Sequence, residues 1–207
     1  MTRLILEASA TPGSWVLSRQ GEILASGKLS GTVAAGLIPS LRKELRDPPR
    51  PDQILVGVGP GSFSGIRSAI ASAEGMAAVW PCPVLPVRST GSIAWQFPQA
   101  TLLGVFSDAR RGDLFATFYA SGKLERPTTV HPASELPRLL SRCTLAITPD
   151  GLSGVAQTAL PDATTLAAYL HAHGLEPGLA LEPIHLRPAL SPRSNNPTSR
   201  HPPTPPL

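Results

Sequence analysis

At 207 residues the chain is long enough for one large domain or two small ones with a proper core. Charged residues make up 15%, against about 25% in typical soluble domains, which suggests an apolar surface able to meet another protein. Aromatic residues make up only 5%, which argues against a base-stacking surface, and the formal net charge of +4 owes part to Arg187, Arg193 and Arg200 in a stretch with no acid after Glu182.

Taken in chain order, "RLILEAS" reads as a buried strand over 3–8, and "GSWVLSRQGEILASGKL" as a β-hairpin turning at Gln20-Gly21. "TVAAGLIPSLRKELRD" changes period: Val33, Leu37, Leu41 and Leu45 recur every four residues, a helical stripe interrupted by Pro39. "ILVGVG" is another strand, and "SFSGIRSAIASAEGMAAVW" a helix with Ile66, Ala69, Ile70, Ala73, Ala77 and Trp80 on one face. "CPVLPVRS" predicts a short strand, followed by a helix capped by Ser89 or Thr90.

A second series starts near residue 101. Strands over about 101–107 and 113–120 flank a turn at Asp108–Gly112. A polar stretch leads to a weak helix over 134–141, then "TLAITP" is a strand and "ATTLAAYLHAHG" a helix stopped by Gly174. Strands precede helices in each half, which predicts an α/β chain of two similar subdomains, 1–100 and 101–189. The segment 190–207, rich in Pro, Ser and Asn, is expected to be disordered, because it buries too little apolar surface to offset its ordering entropy.

No apolar run approaches the ~18 residues of a membrane span. The N-terminal "MTRLILEASATPGS" has too short an apolar core for a signal segment, so a soluble, cytoplasmic protein is expected. Cys82 and Cys143 cannot build a zinc site alone, and no histidine stands at ligand spacing near either. Arg42, Lys43, Arg46 and Arg50 form a basic cluster that reads as a solvated helix face or as a contact for RNA phosphates.

The glycine-rich turn "GVGPGSFSG" invites a nucleotide reading that its spacing does not meet. A Walker loop needs Gly-Lys-Ser/Thr, but Gly65 is followed by Ile66-Arg67. A dinucleotide fingerprint finds Ser62 or Ser64 where its third glycine belongs, and a nucleophile elbow finds Phe63 where its serine belongs. What remains is a tight strand-to-helix turn, with Gly59 and Gly61 free to take positive φ and Ser62 or Ser64 as helix cap. Such a helix start can also attract an anion, so both readings stand at this point. The helix that follows carries Ser68, Ala69, Ala71, Ser72, Ala73, Gly75, Ala77 and Ala78, all small. It is either packed deeply on a sheet or shared with a partner subunit.

The combination of "GVGPGSFSGIRSAIASAEGMA", "VLPVRSTGSIAW", "SDARRGDLFATFY" and "PIHLRPA" resembles the TsaB (YeaZ) family over about residues 3–189. Ser64 stands for the family's usual Thr, and Asp113 for its Glu. The resemblance implies an α/β, actin/Hsp70-like (ASKHA) fold of two related subdomains, with mixed sheets flanked by helices. It implies a non-catalytic subunit, a pseudoenzyme without cofactors, that supports threonylcarbamoyladenosine formation at position 37 of tRNA. The implied partners are a TsaD-like catalytic subunit and a TsaE-like ATPase, with a homodimer and indirect or weak tRNA contact as further expectations.

The implied partner interface comprises Ser62, Phe63, Ile66, Arg67, Ala69, Ile70, Ala73 and Ala77. An anion or nucleotide contact would involve Gly59, Gly61, Ser64, Asp108, Arg110 and Arg111. TsaD-type enzymes need a His-x-x-x-His pair, and the five histidines at 131, 171, 173, 185 and 201 contain none. The glycoprotease label attached to this superfamily requires a metal or nucleophile site, and the sequence offers neither. The chain departs from the family pattern at Glu7-Ala8-Ser9, where Asp-Thr-Ser is common, and at Val33–Gly36, where a His-Ser-Glu-Arg-like stretch is common. Two readings compete with the scaffold: an actin-like ATPase or kinase holding phosphate on the Gly59–Gly65 turn, and a homodimeric interaction protein.

Overall fold

The computed structural model describes residues 1–29, 31–44 and 49–184. Leu45 and Arg46, His185 with the rest of "HLRPA", and the segment 190–207 lie outside the described residues.

Strands β1 (Thr2–Glu7), β2 (Ser14–Arg19), β3 (Glu22–Lys28), β4 (Gln53–Gly57) and β5 (Val84–Val87) form the first sheet, in the order β3-β2-β1-β4-β5. The first three are antiparallel; β4 joins β1, and β5 joins β4, in parallel. The second sheet contains β6 (Leu102–Arg110), β7 (Asp113–Ala120), β8 (Lys123–Pro132), β9 (Leu145–Thr148) and β10 (Gln157–Thr158), in the order β10-β9-β6-β7-β8. Its first three strands are again antiparallel, with β9 and β10 added in parallel. One strand plan is therefore used twice, as the two series in the sequence predicted.

Among the described residues, α-helices α1 (Val33–Glu44), α2 (Phe63–Val79), α3 (Thr90–Gln96), α4 (Leu136–Leu140) and α5 (Ala163–His173) cover the sheets. Leu4 and Leu6 of β1 face the core formed with α1 and α2, while Ile5 between them faces α5. A central strand covered on both faces needs such an unbroken apolar run. The α1 stripe lands as expected, with Val33, Leu37 and Leu41 buried, and Pro39 is carried on the exposed side.

The helices between the halves are exchanged. Helix α3 follows the first sheet, yet it packs Ile93 and Ala94 against Leu103, Val105 and Ile147 of the second. Helix α5 follows the second sheet, yet it buries Ala163, Leu166, Ala167 and Leu170 against Ile5, Val16, Leu55 and Val87 of the first. Each buried leucine there contributes about 1.5–3 kcal/mol. A division at residue 101 thus separates the sheets but not the packing, and α5, expected within 101–189, completes the core of the first half. Polar groups fix this exchange. Asp162 caps α5 by accepting from the Thr164 N–H at 2.8 Å and pairs with Lys28 of β3. The Ala163 N–H donates to Ser14 Oγ at 2.9 Å, and the Asp162 N–H to Ser92 Oγ at 2.7 Å.

Three local expectations are corrected. Strand β8 was not expected, because "KLERPTTVHP" lies at a sheet edge with only Thr128 buried and so shows no apolar alternation. Strand β6 runs to Arg110 rather than 107, through a register shift that keeps Arg110 opposite Asp113. Ser89 occupies the start of α3 without capping it; its hydroxyl accepts from the Gly59 N–H instead, at 3.0 Å.

Candidate functional site

The glycine-rich turn links β4 to α2, and its geometry is set by the turn after β1. Ser62 caps α2, accepting from the Gly65 N–H at 3.3 Å, while its own N–H donates to the Ser9 carbonyl at 2.7 Å. A Cβ on Gly61 would run into the Ser9 carbonyl oxygen, and one on Gly65 into that of Ala8. Gly59 is buried at φ 94°, where an added Cβ would sit 2.8 Å from Ile66 Cδ1. Its carbonyl accepts from the Ser89 N–H at 3.1 Å. These glycines admit the chain's own backbone, which is the turn reading of the two left open by the sequence.

Glu7 sits beneath this junction. It is 1% exposed; its Oε1 accepts from the Ser9 N–H at 2.7 Å and from the Ser9 hydroxyl at 2.5 Å. A Cβ on Gly57 would collide with its other oxygen. Burial pushes its pKa up, and the Ser9 and Ser89 hydrogen bonds offset that only in part. Glu7 therefore belongs to the interior that ties β1, β4 and β5 together. Sequence reasoning registered it only as a departure from the usual Asp.

Helix α2 divides the expected interface in two. Ile66, Ala69 and Ala73 are buried, and the two alanines sit in the core formed with β1, β4 and α1. They cannot form a surface for a partner, because small side chains here let α2 lie close on its own sheet. Ile70 and Ala77 are half-buried against the same core. Ser62, Phe63 and Arg67 are exposed, with the Arg67 guanidinium 5.3 Å from the Phe63 ring centre.

The remaining outer face meets α1 in an apolar groove of about 410 Å³, lined by Leu37, Ile38, Gly75, Met76, Val79 and Trp80. Val79 is 74% exposed and Ile38 43%. Neither was singled out from the sequence, although each is a large apolar residue standing off its helix's buried stripe. Arg42 and Lys43 lie in the last turn of α1, and Arg50 is exposed beyond it.

A second concavity, of about 640 Å³, opens between the two halves. It brings together Gly61, Ser64, Asp108 and Arg110, four of the six residues expected at an anion contact. Gly59 lies buried behind the turn, and Arg111 is exposed at the β6–β7 hairpin, with both Arg110 and Arg111 at positive φ. The Asp108 carboxylate accepts from the Arg110 N–H at 2.7 Å and pairs with its guanidinium at 3.1 Å. The Asp108 N–H in turn donates to Asp150 at 2.8 Å. This acidic rim lies where a phosphate cradle would need free N–H donors and glycine. Among the described residues no group of three or more His, Cys, Asp or Glu side chains is placed to hold a metal ion. His171 and His173 are exposed at the end of α5, and among the described residues no helix is long and apolar enough to cross a membrane.

Residues 40–133, less than half of the chain, match the family model described as "TsaD: tRNA N6-adenosine threonylcarbamoyltransferase". An uncharacterized protein of Mycobacterium tuberculosis (strain ATCC 25618 / H37Rv) is 38% identical over 71 residues, which cover 34% of this chain and 33% of that protein. The chain thus spans only about a third of the length of the curated relatives it matches. The solved structure of YeaZ from Pseudomonas aeruginosa is 24% identical, covers 89% of this chain and 99% of its own, and superposes with a TM-score of 0.68. A second structure, of an uncharacterized protein with similarity to peptidase YeaZ from Pseudomonas aeruginosa, is 23% identical, covers 90% and 99%, and gives 0.65. The fold is therefore that of the solved YeaZ structures, an α/β fold of two mixed sheets flanked by helices as the resemblance implied, and the chain is TsaD-like in sequence across its centre.

Proposed function

We propose that the chain is a non-catalytic scaffold subunit of the cytoplasm that pairs with a TsaD-like catalytic protein to support threonylcarbamoyladenosine formation at position 37 of tRNA. The observation that carries this reading is the groove between α1 and α2. Val79 and Ile38 present large apolar area beside Gly75, where a partner helix can approach closely. The absence of a His-x-x-x-His pair from the sequence and the burial of Glu7 both support a role without chemistry of its own. A TsaE-like ATPase would join the assembled pair, and tRNA would touch it only weakly, through Arg42, Lys43 and Arg50.

Co-expression with the cognate TsaD and TsaE, followed by co-elution and a tRNA modification assay, tests the proposal. The Val79→Glu variant is expected to lose both complex and modification while keeping its fold. Retention of both with a charge at position 79 would sink the interface. Light scattering without TsaD separates a homodimer on the same groove from the heteromeric pair. A rival reading, a nucleotide-binding protein, would have to use the cleft between the halves in spite of its acidic rim. That rival requires ATP affinity that disappears in Asp108→Ala.

A further inference from the structure

A cavity of about 450 Å³ is lined by the end of α5, the segment Leu175–Pro177 that follows it, and Arg88. That volume is typical of small-molecule sites. At its floor is Arg88, only 9% exposed, with Nη1 donating to Thr128 at 2.6 Å. Nε and Nη2 donate to the two carboxylate oxygens of Glu176 at 2.8 and 2.6 Å. The remaining walls include Lys123 at the start of β8 and the rings of Tyr169 and His173, 4.7 Å apart.

Three features distinguish this arrangement from a clasp serving stability alone. The carboxylate comes from a short irregular segment bounded by Gly174 and Gly178, both at positive φ. The Arg88 fork is thereby satisfied by a group that can be exchanged without dismantling a helix or strand. Glu176 is also the only acid among the described residues lining the cavity, so its withdrawal leaves Arg88 and Lys123 as uncompensated cations. A guanidinium fork pairs in the same two-pronged way with any carboxylate, and a buried cation must keep a counter-charge. The Tyr169 and His173 rings beside it, tilted by 49° to one another, each offer a face on which a planar group can stack.

We propose that this cavity is a binding site for a small carboxylate with a flat apolar body, and that Glu176 is an internal stand-in which the ligand displaces from Arg88. This site is independent of the α1–α2 groove.

Titration of the full chain with sodium benzoate, benzamide and inorganic phosphate at fixed ionic strength tests it, read by the NMR signals of the Arg88 side chain and the 175–176 amides. Benzoate is expected to saturate in the millimolar range and shift these signals, with benzamide and phosphate at least tenfold weaker. Glu176→Gln is expected to tighten benzoate at least fivefold by removing the competitor, and Arg88→Gln to abolish binding. Equal benzoate affinity in the wild type and Glu176→Gln overturns the displacement. Benzamide binding as well as benzoate, or phosphate binding as well, overturns the carboxylate assignment. Should Arg88→Gln not fold, the Glu176→Gln comparison decides the matter alone.

Discussion

The backbone N–H of Ser62 donates to the carbonyl of Ser9 across 2.7 Å, fastening the start of α2 to the turn after β1. Gly61 and Gly65 stand at either side of this bond, each where a Cβ would strike backbone oxygen. Gly61→Ala is therefore expected to destabilise the fold by about 2–3 kcal/mol, since a φ of 154° adds strain to the collision. Gly75→Ala on the open face of α2, where an added Cβ meets nothing within 4 Å, should instead gain about 0.5–1 kcal/mol of helix propensity. Urea unfolding of both variants checks the contrast.

Charge insertions along α2 should separate core from surface. Ala73→Glu places a carboxylate in the core at a position 0% exposed and is expected to unfold the chain or remove about 3–5 kcal/mol. Val79→Glu should change stability by no more than about 0.5 kcal/mol. Thermal unfolding monitored by circular dichroism reads both directly. Equal losses would show that Val79 is part of the core.

Glu7 gives stability a specific pH dependence. Burial raises its folded-state pKa, so the folded chain holds a proton that the unfolded chain has already released. Its contribution is complete below the ordinary carboxylate range and is lost as pH rises through the raised value. Glu7→Gln should flatten that slope and be more stable than the wild type at the alkaline end. Urea midpoints measured from pH 4 to pH 9 test the sign.

Asp162 works in the opposite direction. Burial alone would raise its pKa, but the Lys28 and Thr164 hydrogen bonds outweigh it and the value is lowered. Its contribution is present at neutral pH and is lost as pH falls through the lowered value. Asp162→Ala removes the α5 cap and the tie to β3, and should cost about 1–2 kcal/mol at pH 7 and less in acid. The same pH series on this variant checks it.

The Tyr119 hydroxyl and Thr90 Oγ1 are 2.7 Å apart in the interior between the halves. Tyr119→Phe leaves the Thr90 hydroxyl without that partner and should cost about 1–3 kcal/mol. Equilibrium unfolding of Tyr119→Phe and Thr90→Val, singly and together, should show coupling between them.

The parts legible in the sequence were those written as periodicity or spacing. The Gln20-Gly21 hairpin, the α1 stripe of Val33, Leu37 and Leu41, and the doubled strand series follow from local pattern, and the structure contains them. β8 was invisible because its residues face solvent at a sheet edge. The orientation of α2 was misread because Ala69 and Ala73 suit a close contact with either a sheet or a partner, and small size alone does not say which. Glu7 and Arg88 look like ordinary charged residues in sequence. Ser9 is a local partner of Glu7, but Ser89 beside it and Glu176 beside Arg88 are brought in by crossings of the chain that no local pattern encodes.

The exchange of α3 and α5 also has a consequence for how the chain matures. While it leaves the ribosome, the first sheet can acquire α1 and α2 as soon as they emerge. Its opposite face, with Ile5, Val16, Leu55 and Val87, stays bare until Leu166 and Leu170 arrive. The N-terminal half therefore cannot mature before its successor, and both halves should gain protection from proteolysis in one late step.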